Sequence, residues 1–540
     1  MYEYSRFKFS LKLSEYRDNM KKYDVIIVGG GPTGVALGIE LALNKIDTLI
    51  LEKYPAPMLS PRAQFINARS MEFFMRWELD IDLKDRQICS DEFPNRMVWC
   101  SKLNGETYAL CSSNDQLNAE LSPQLGIRIP LWITEEKLRN KLNDFSCIQF
   151  LKLYEAVDIK LDKDDEVTVT AKTHNQEVDF KTSYVVACDG TNSIIRKKIG
   201  IDFKTLAPSR RVIGVVFETF HLEKYITISK GSIFILLENK LPGAIGAINP
   251  QCGLWYAQIF YGNDTKTIDE IDIDHLLNEV TGIVFSKKIL NAHFWDMHIQ
   301  LAEQFSYQNR IFLVGDSAHG FVPTGALGLN TGFGDVVNLA WKLAAVIKGR
   351  MKKSLLTTYE QERRPICLRN LKISQKNADK MAQLRKKYPP EQNQKQFAIE
   401  NAKLAKKLSN LLGASMGYAY FNSPLTQLEK DQSIKPMSKS TYHPTVAPGY
   451  FLPHIWIKKQ KSIYHCLSAT AWTLIISGES NSLSKWQKMM NKYPFKIEIL
   501  KIHEKAYSKK YVFIRPDWHI AFTSDQLNDS DFSLIENLLG

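Results

Sequence analysis

Apolar and polar residues follow different periods along this chain, and the changes of period divide it. Tyr23–Val28 is an apolar run of strand length, Gly29-Gly30-Gly31-Pro32-Thr33-Gly34 interrupts it, and Val35–Leu43 resumes with helical spacing. A second strand ends at Thr48-Leu49-Ile50-Leu51-Glu52-Lys53. Strand, glycine turn, helix and strand in that order predict a βαβ unit. Two more apolar runs each end in an acidic turn: Tyr184–Ala187 leads into Cys188-Asp189-Gly190, and Ile311–Val314 into Gly315-Asp316. After the second turn the pattern predicts a Pro/Gly loop from Pro323 to Gly332 and a helix over Asp335–Ile347. Between these segments, residues 205–300 alternate apolar and polar positions at Val212–Phe217, Ser232–Leu237 and Leu254–Tyr261, as strands of one sheet do. Further on, Asn377–Gly413 reads as a polar helical connector, Pro436–Pro448 as a boundary, and Tyr511–Ile520 as a hairpin. The whole is α/β and α+β.

Composition narrows this. A chain of 540 residues exceeds one core, so two or three domains are expected. Its eight cysteines stand singly without metal-ligand spacing, which predicts reduced thiols, a cytoplasmic location and no metal. No apolar run approaches the ~20 residues of a membrane span, so no integral membrane segment is expected. Residues 1–19 lack the apolar centre of a signal peptide and read as an N-terminal extension. The net charge of +12 comes from scattered lysines without a dense basic cluster or a nucleic-acid reading motif. No nucleic acid is expected, and the charge reads as a solvated surface that helps draw in an anionic nucleotide.

The motifs carry the chemistry. In a dinucleotide fingerprint Gly29 makes the turn, Gly31 admits the pyrophosphate, Thr33 lies in the loop, Gly34 packs helix on strand, and Glu52, followed by Lys53, meets a ribose diol. The later turn suits a flavin dinucleotide: Asp316 accepts from a ribitol hydroxyl, and N–H groups near Gly328, Leu329 and Asn330 face the pyrimidine edge. His319, directly after Gly-Asp-Ser-Ala, reads as bonded locally rather than as a base.

These three motifs, taken in order, resemble the single-component FAD-dependent aromatic hydroxylases, the group A flavoprotein monooxygenases, in their phenol and polyketide hydroxylase branch with a p-hydroxybenzoate hydroxylase-like fold. Pro61–Glu72, Asn338–Ala344 and Tyr359–Pro365 also match, so the resemblance covers most of residues 20–380. It implies a Rossmann-like FAD-binding domain made of 20–204 and 301–380, an inserted mixed β-sheet substrate domain at 205–300 with part of 90–130, and a connector at 381–440. Residues 441–540 are then a thioredoxin-like C-terminal domain, which lacks Cys-x-x-Cys and serves packing or a homodimer.

The implied activity is hydroxylation of a phenolic or polyketide-like aromatic with O2 activated at the flavin C4a position, FAD being resident and NADPH or NADH a transient co-substrate. A quinone precursor or drug-like substrate, or an idle FAD-binding protein, are the alternatives. By the resemblance Pro323 offers a carbonyl near C4a, Leu329 and Asn330 offer N–H groups to the ring, Arg62 lies near the pyrophosphate, and Asp189-Gly190 is a second cofactor turn. Two positions depart from the family pattern. Glu135 stands in the helix contacting FAD where relatives often carry Gln, and calls for a partner such as Arg62 or Arg139; Gln64 stands where phenol-specific relatives have an acid. Gln64 with Phe217, Phe234, Trp255, Phe260 and Trp295 are the candidate substrate pocket.

Overall fold

The computed structural model describes residues 21–526 apart from 58–62, 87, 89, 91–92, 113, 164, 175, 239–240, 263–265, 427–436, 480–492, 494–496 and 505, together with 531 and 533. Arg62 and the N-terminal extension 1–19 therefore lie outside the described residues. In chain order the α-helices are α1 Pro32–Leu43, α2 Ala68–Arg76, α3 Asp80–Lys84, α4 Leu131–Lys141, α5 Ile194–Lys198, α6 Ile273–Thr281, α7 Leu327–Ile347, α8 Thr357–Lys387, α9 Pro390–Ser409 and α10 Leu412–Met416.

The apolar runs read from the sequence form the middle of a parallel sheet. Six of its eight strands lie in the order Ser306–Tyr307, Ile311–Leu313, Gln176–Ala187, Tyr23–Val28, Thr48–Glu52, Ile148–Lys152, where all neighbours but the first pair run parallel; Val167–Thr173 pairs antiparallel with both Gln176–Ala187 and Glu155–Leu161 off that path. Strands covered on both faces read as continuous hydrophobic runs, and Val25, Ile26 and Ile27 are fully buried. A second sheet is mixed, in the order His319–Gly320, Lys288–Ala302, Phe203–Glu218, Leu254–Gly262, Gly243–Asn249, Ile233–Leu236, Met97–Cys100, Thr107–Cys111. The chain thus enters this sheet from 97–111 as well as from 203–302, and returns to it at His319 directly after the acidic turn.

One face of the second sheet packs under α6, where Leu276, Leu277 and Val280 meet Ile213, Val215 and Phe217. The opposite face turns toward the parallel-sheet domain: Val212 belongs to the main core, and Phe260 and Trp295 pack against it. The C-terminal unit is a four-stranded sheet in the order Ile497–Ile502, Trp472–Ser477, Tyr511–Ile514, Ile520–Ser524, with only the first pair parallel. Its Leu474, Val512 and Phe522 lie in the same continuous core as Val25 and Leu339. It packs on the rest of the chain as a built-in part.

One boundary differs from the sequence reading. α7 begins at Leu327, eight residues before the expected Asp335, so Leu327–Gly334 is helical rather than loop. Glycines lower helix propensity by only ~1 kcal/mol each, and burial of Leu327, Thr331 and Phe333 outweighs that.

Candidate functional site

Three turns leave the parallel sheet at one level. Val28 pairs with Ala187, and Ala187 with Leu313, so Gly29–Gly34, Asp189-Gly190 and Gly315-Asp316 open side by side at the carboxyl ends of the strands. That edge is where open α/β sheets take their ligands. Gly29 has φ +104°, and a Cβ there would stand 2.3 Å from the Cys188 carbonyl oxygen. At Gly34 a Cβ would stand 1.9 Å from the Gly29 oxygen, so helix and turn are in backbone contact. Gly31 is the opposite case, with no protein atom within 4 Å of its would-be Cβ. α1 starts behind it with Pro32 and no side-chain cap, which leaves first-turn N–H groups aimed at that opening.

The acids surround this opening. Glu52 accepts the N–H of Gly30 at 2.7 Å on Oε2 and of Tyr54 at 2.7 Å on Oε1, so its carboxylate is fixed at the strand end with lone pairs to spare. Lys53 is exposed, 3.9 Å from Glu155. Asp189 Oδ2 caps α5 through Ile194 N at 2.8 Å, while Oδ1 is buried with no protein partner. Burial pushes the Asp189 pKa upward. Gly190, at φ +82°, is again open on its Cβ side. Asp316 is exposed between buried Gly315 and Ser317, and Thr33 packs against both Gly315 and Gly332. An open Gly31, an orphaned acceptor on Asp189 and uncapped helix ends fit a dinucleotide with one face of phosphate and one of polar sugar.

α7 presents its N-terminus to the same region. The N–H groups of Leu327, Gly328 and Leu329 have no intrahelical acceptor, and no side chain caps them. Asn330 stands one position beyond these donors and works through its side chain instead. Its Nδ2 donates to Phe65 O at 3.0 Å and Ala326 O at 2.7 Å, and its Oδ1 accepts Asn67 N at 3.0 Å. This pins the segment 64–67 across the helix end. Gln64 in that segment is buried, and its Oε1 has no partner. Pro323 is exposed, and its carbonyl accepts Ala326 N at 3.0 Å.

Glu135 finds the partner its charge calls for. Arg139 stands 3.8 Å away and itself donates to the Gly30 carbonyl at 2.8 and 3.2 Å, clamping the glycine loop.

The second sheet corrects the aromatic assignment. Phe217, Phe234 and Trp255 are at most 1% exposed in the core beneath α6, on the face turned away from the cofactor edge. Alternation identifies two faces without saying which one a helix will cover. Phe260 and Trp295 lie on the face toward the parallel-sheet domain, where Tyr256 is a further buried aromatic not singled out in the sequence.

A buried polar hub under the acidic turn also escaped the sequence reading. Asp335 of α7 accepts Gly315 N at 3.2 Å, bonds His319 Nε2 at 2.7 Å, and accepts Arg363 Nε of α8 at 2.8 Å. Burial disfavours a charged His319, but Cys367 and the Asp335 carboxylate outweigh it and hold its pKa well above the ordinary value. His319 is fully buried beneath the turn, its ring fixed by the Asp335 bond.

Comparison with known proteins places these features. The model of the FAD binding domain family matches residues 22–374. The FAD-dependent monooxygenase apdD of Emericella nidulans is 25% identical over 94% of this chain and 88% of its own length. The 12-dehydrotetracycline 5-monooxygenase/anhydrotetracycline 6-monooxygenase of Streptomyces rimosus is 30% identical over 64% of this chain and 67% of its own. Among solved structures, the flavin-dependent monooxygenase PieE in complex with FAD and substrate superposes with a TM-score of 0.86 over 96% of this chain and 99% of that one, at 19% identity, a likeness of fold.

Proposed function

We propose, from the premise that this chain belongs to the FAD binding domain family, that it is an FAD-dependent monooxygenase which uses NAD(P)H and O2 to hydroxylate an aromatic, phenolic or polyketide-like substrate. The observation that carries the reading is the convergence of the three turns on one open edge of the sheet, with α7 pointing at it. The relatives' printed activities agree with it.

Bound FAD would take a hydride from the nicotinamide and activate dioxygen for transfer to an electron-rich ring. The first-turn N–H groups of α1 would hold the pyrophosphate, Glu52 a ribose diol and Asp316 a ribityl hydroxyl. The N–H groups of Leu327, Gly328 and Leu329, with the helix dipole behind them, would hold negative charge at the pyrimidine edge. Val212, Phe260 and Trp295 would keep water from the reacting ring. Buried Gln64 Oε1 would accept from a substrate hydroxyl; an amide cannot take the proton away, so Gln64 orients rather than ionises.

Glu135, the departure from the family pattern that would favour an idle FAD-binding protein, stands 3.8 Å from Arg139, which opposes its charge. We further assign a cytoplasmic location on the seven unpaired described cysteines, and a homodimer, to be read from the mass in solution. Among the described residues no helix is long and apolar enough to cross a membrane.

The test is NADPH and NADH consumption by FAD-loaded protein against phenols, hydroxynaphthoquinones, anthraquinones and drug-like aromatics, with hydrogen peroxide assayed in parallel. Substrate-stimulated consumption with little peroxide and a product one oxygen heavier is expected. Protein that folds but retains no FAD would sink the reading.

A further inference from the structure

The chain's charge is not spread evenly. Between Arg369 and Ser409 eleven lysines and arginines stand against three acids, a net +8 in a chain of +12. In the sequence they are spread over two helices, with Arg385-Lys386-Lys387 and Lys406-Lys407 as the only adjacent ones, so their common face is not visible. In the structure a turn at Tyr388-Pro389 folds α9 back along α8, and Lys439 Nζ ties the two helices together by donating to Asn377 Oδ1 at 3.0 Å and Lys407 O at 3.1 Å.

The three acids are already taken: Asp379 by Arg210 at 3.5 Å, Glu391 by Arg385 at 3.6 Å and Glu400 by Lys403 at 2.9 Å. Lys372, Lys376, Lys386, Lys395, Lys406 and Lys407 are exposed with no carboxylate in pairing distance among the described residues. Burial, with Lys380 and Lys407 beside it, depresses the Lys439 pKa to about 8, as convergent like charges should. Ile399 stands 51% exposed on α9 within this basic surface.

We propose that the α8–α9 face docks on an anionic lipid bilayer. The exposed cations are lysines, flexible point charges suited to a diffuse negative surface, whereas recognition of carboxylates on an acidic protein favours the bidentate fork of arginine. Lysine clusters on an exposed helical face attract anionic headgroups at roughly 1 kcal/mol each, about fivefold in partition. Ile399 gives the face one apolar contact with the interface. The inference rests on the charge and geometry of α8 and α9, not on the hydroxylase reading.

The test is sedimentation of the full-length, FAD-loaded protein with phosphatidylcholine vesicles with and without phosphatidylserine. Binding to the anionic vesicles only is expected, lost at about 1 M salt where the screening length is about 3 Å. Lys395→Glu/Lys406→Glu/Lys407→Glu lowers the partition at least about tenfold. An equal reversal on the strands of the parallel-sheet domain, Lys152→Glu/Lys160→Glu/Lys172→Glu, leaves it within about twofold of the starting protein, both variants keeping their bound flavin spectrum. The proposal is overturned by no binding to anionic vesicles at low salt, by equal loss in both triple variants, or by binding to polyglutamate without binding to vesicles, which would make the face a dock for an acidic protein.

Discussion

Gly31 and Gly34 are three residues apart and answer to different demands. A methyl group at Gly34 would drive into the Gly29 carbonyl, whereas one at Gly31 meets only open space, and Gly31 has φ −73°, which alanine adopts freely. Gly34→Ala should therefore destabilise the fold itself, by about 1–3 kcal/mol or more. Gly31→Ala should leave the unfolding free energy of the flavin-free protein within about 0.5 kcal/mol of its starting value and yet weaken FAD retention, read from flavin absorbance after desalting. Equal flavin occupancy in Gly31→Ala and the parent would mean that the opening is not where the cofactor lies. This part of the site was legible in the sequence because glycine spacing encodes backbone contact directly. The Asp335 hub was not, since its partners His319 and Arg363 are 16 and 28 positions away. A trace of buried polar networks existed: Asp335, Asn338 and Lys342 are polar residues at helical spacing inside an otherwise apolar stretch, all buried, the first in this hub and the other two bonded to Glu362.

The elements were legible in type, less so in extent. α7 was recognised by its apolar period, but its first two turns are glycine-rich and looked like loop. The longer helix leaves the donor role intact, because Leu327, Gly328 and Leu329 occupy first-turn positions that have no intrahelical partner. It changes the role of Asn330, whose amide bridges α7 to the segment 64–67 by accepting Asn67 N and donating to Phe65 O, while its second N–H donates to Ala326 O at the start of α7. That geometry needs an amide. Asn330→Asp keeps the acceptor for Asn67 N but turns a carboxylate oxygen toward the Phe65 and Ala326 carbonyls. It should cost about 2 kcal/mol or more and raise KM for the aromatic substrate at least about tenfold while Asn330→Ala does no worse. Thermal unfolding and steady-state kinetics check this, and an aspartate variant indistinguishable from the parent would remove Asn330 from the positioning of Gln64. The face of the second sheet lay beyond sequence reasoning for a different reason. Period two fixes which residues share a side, and only the placement of α6 decides which side is core.

At the scale of the molecule, the C-terminal unit is held by buried charge as much as by apolar contact. Glu362 of α8 accepts Arg515 at 2.6 and 2.8 Å and Lys342 at 2.6 Å, and Arg515 also pairs with Asp517. Just beyond, His519 is buried, stacked on Tyr420 at 4.1 Å and bonded through Nδ1 to the Gly449 carbonyl at 2.9 Å. Burial pulls its pKa from 6.5 to about 3 despite the Asp517 carboxylate, and burial likewise pulls His454 to about 4. A histidine depressed in the folded state leaves the unfolded chain binding the extra proton below about 6.5. Stability from these two rings is therefore complete above pH 6.5 and falls as the pH drops toward about 4 and then about 3. Burial raises the carboxyl pKa of Asp189 and of Glu72, so these two take up protons in the folded state as the pH falls and act with the opposite sign, adding stability rather than losing it. Glu362, shifted well below 4.5, contributes acid sensitivity only below its unfolded value, and His319, shifted upward, loses its contribution only as the pH rises. Between about pH 6.5 and about pH 4.5 the loss of stability thus belongs to His519 and His454. The thermal midpoint should fall across that range in the parent and fall less in His519→Asn, which keeps a donor for Gly449 without the titration. Parallel slopes in the two proteins would show that the C-terminal unit takes up its protons elsewhere.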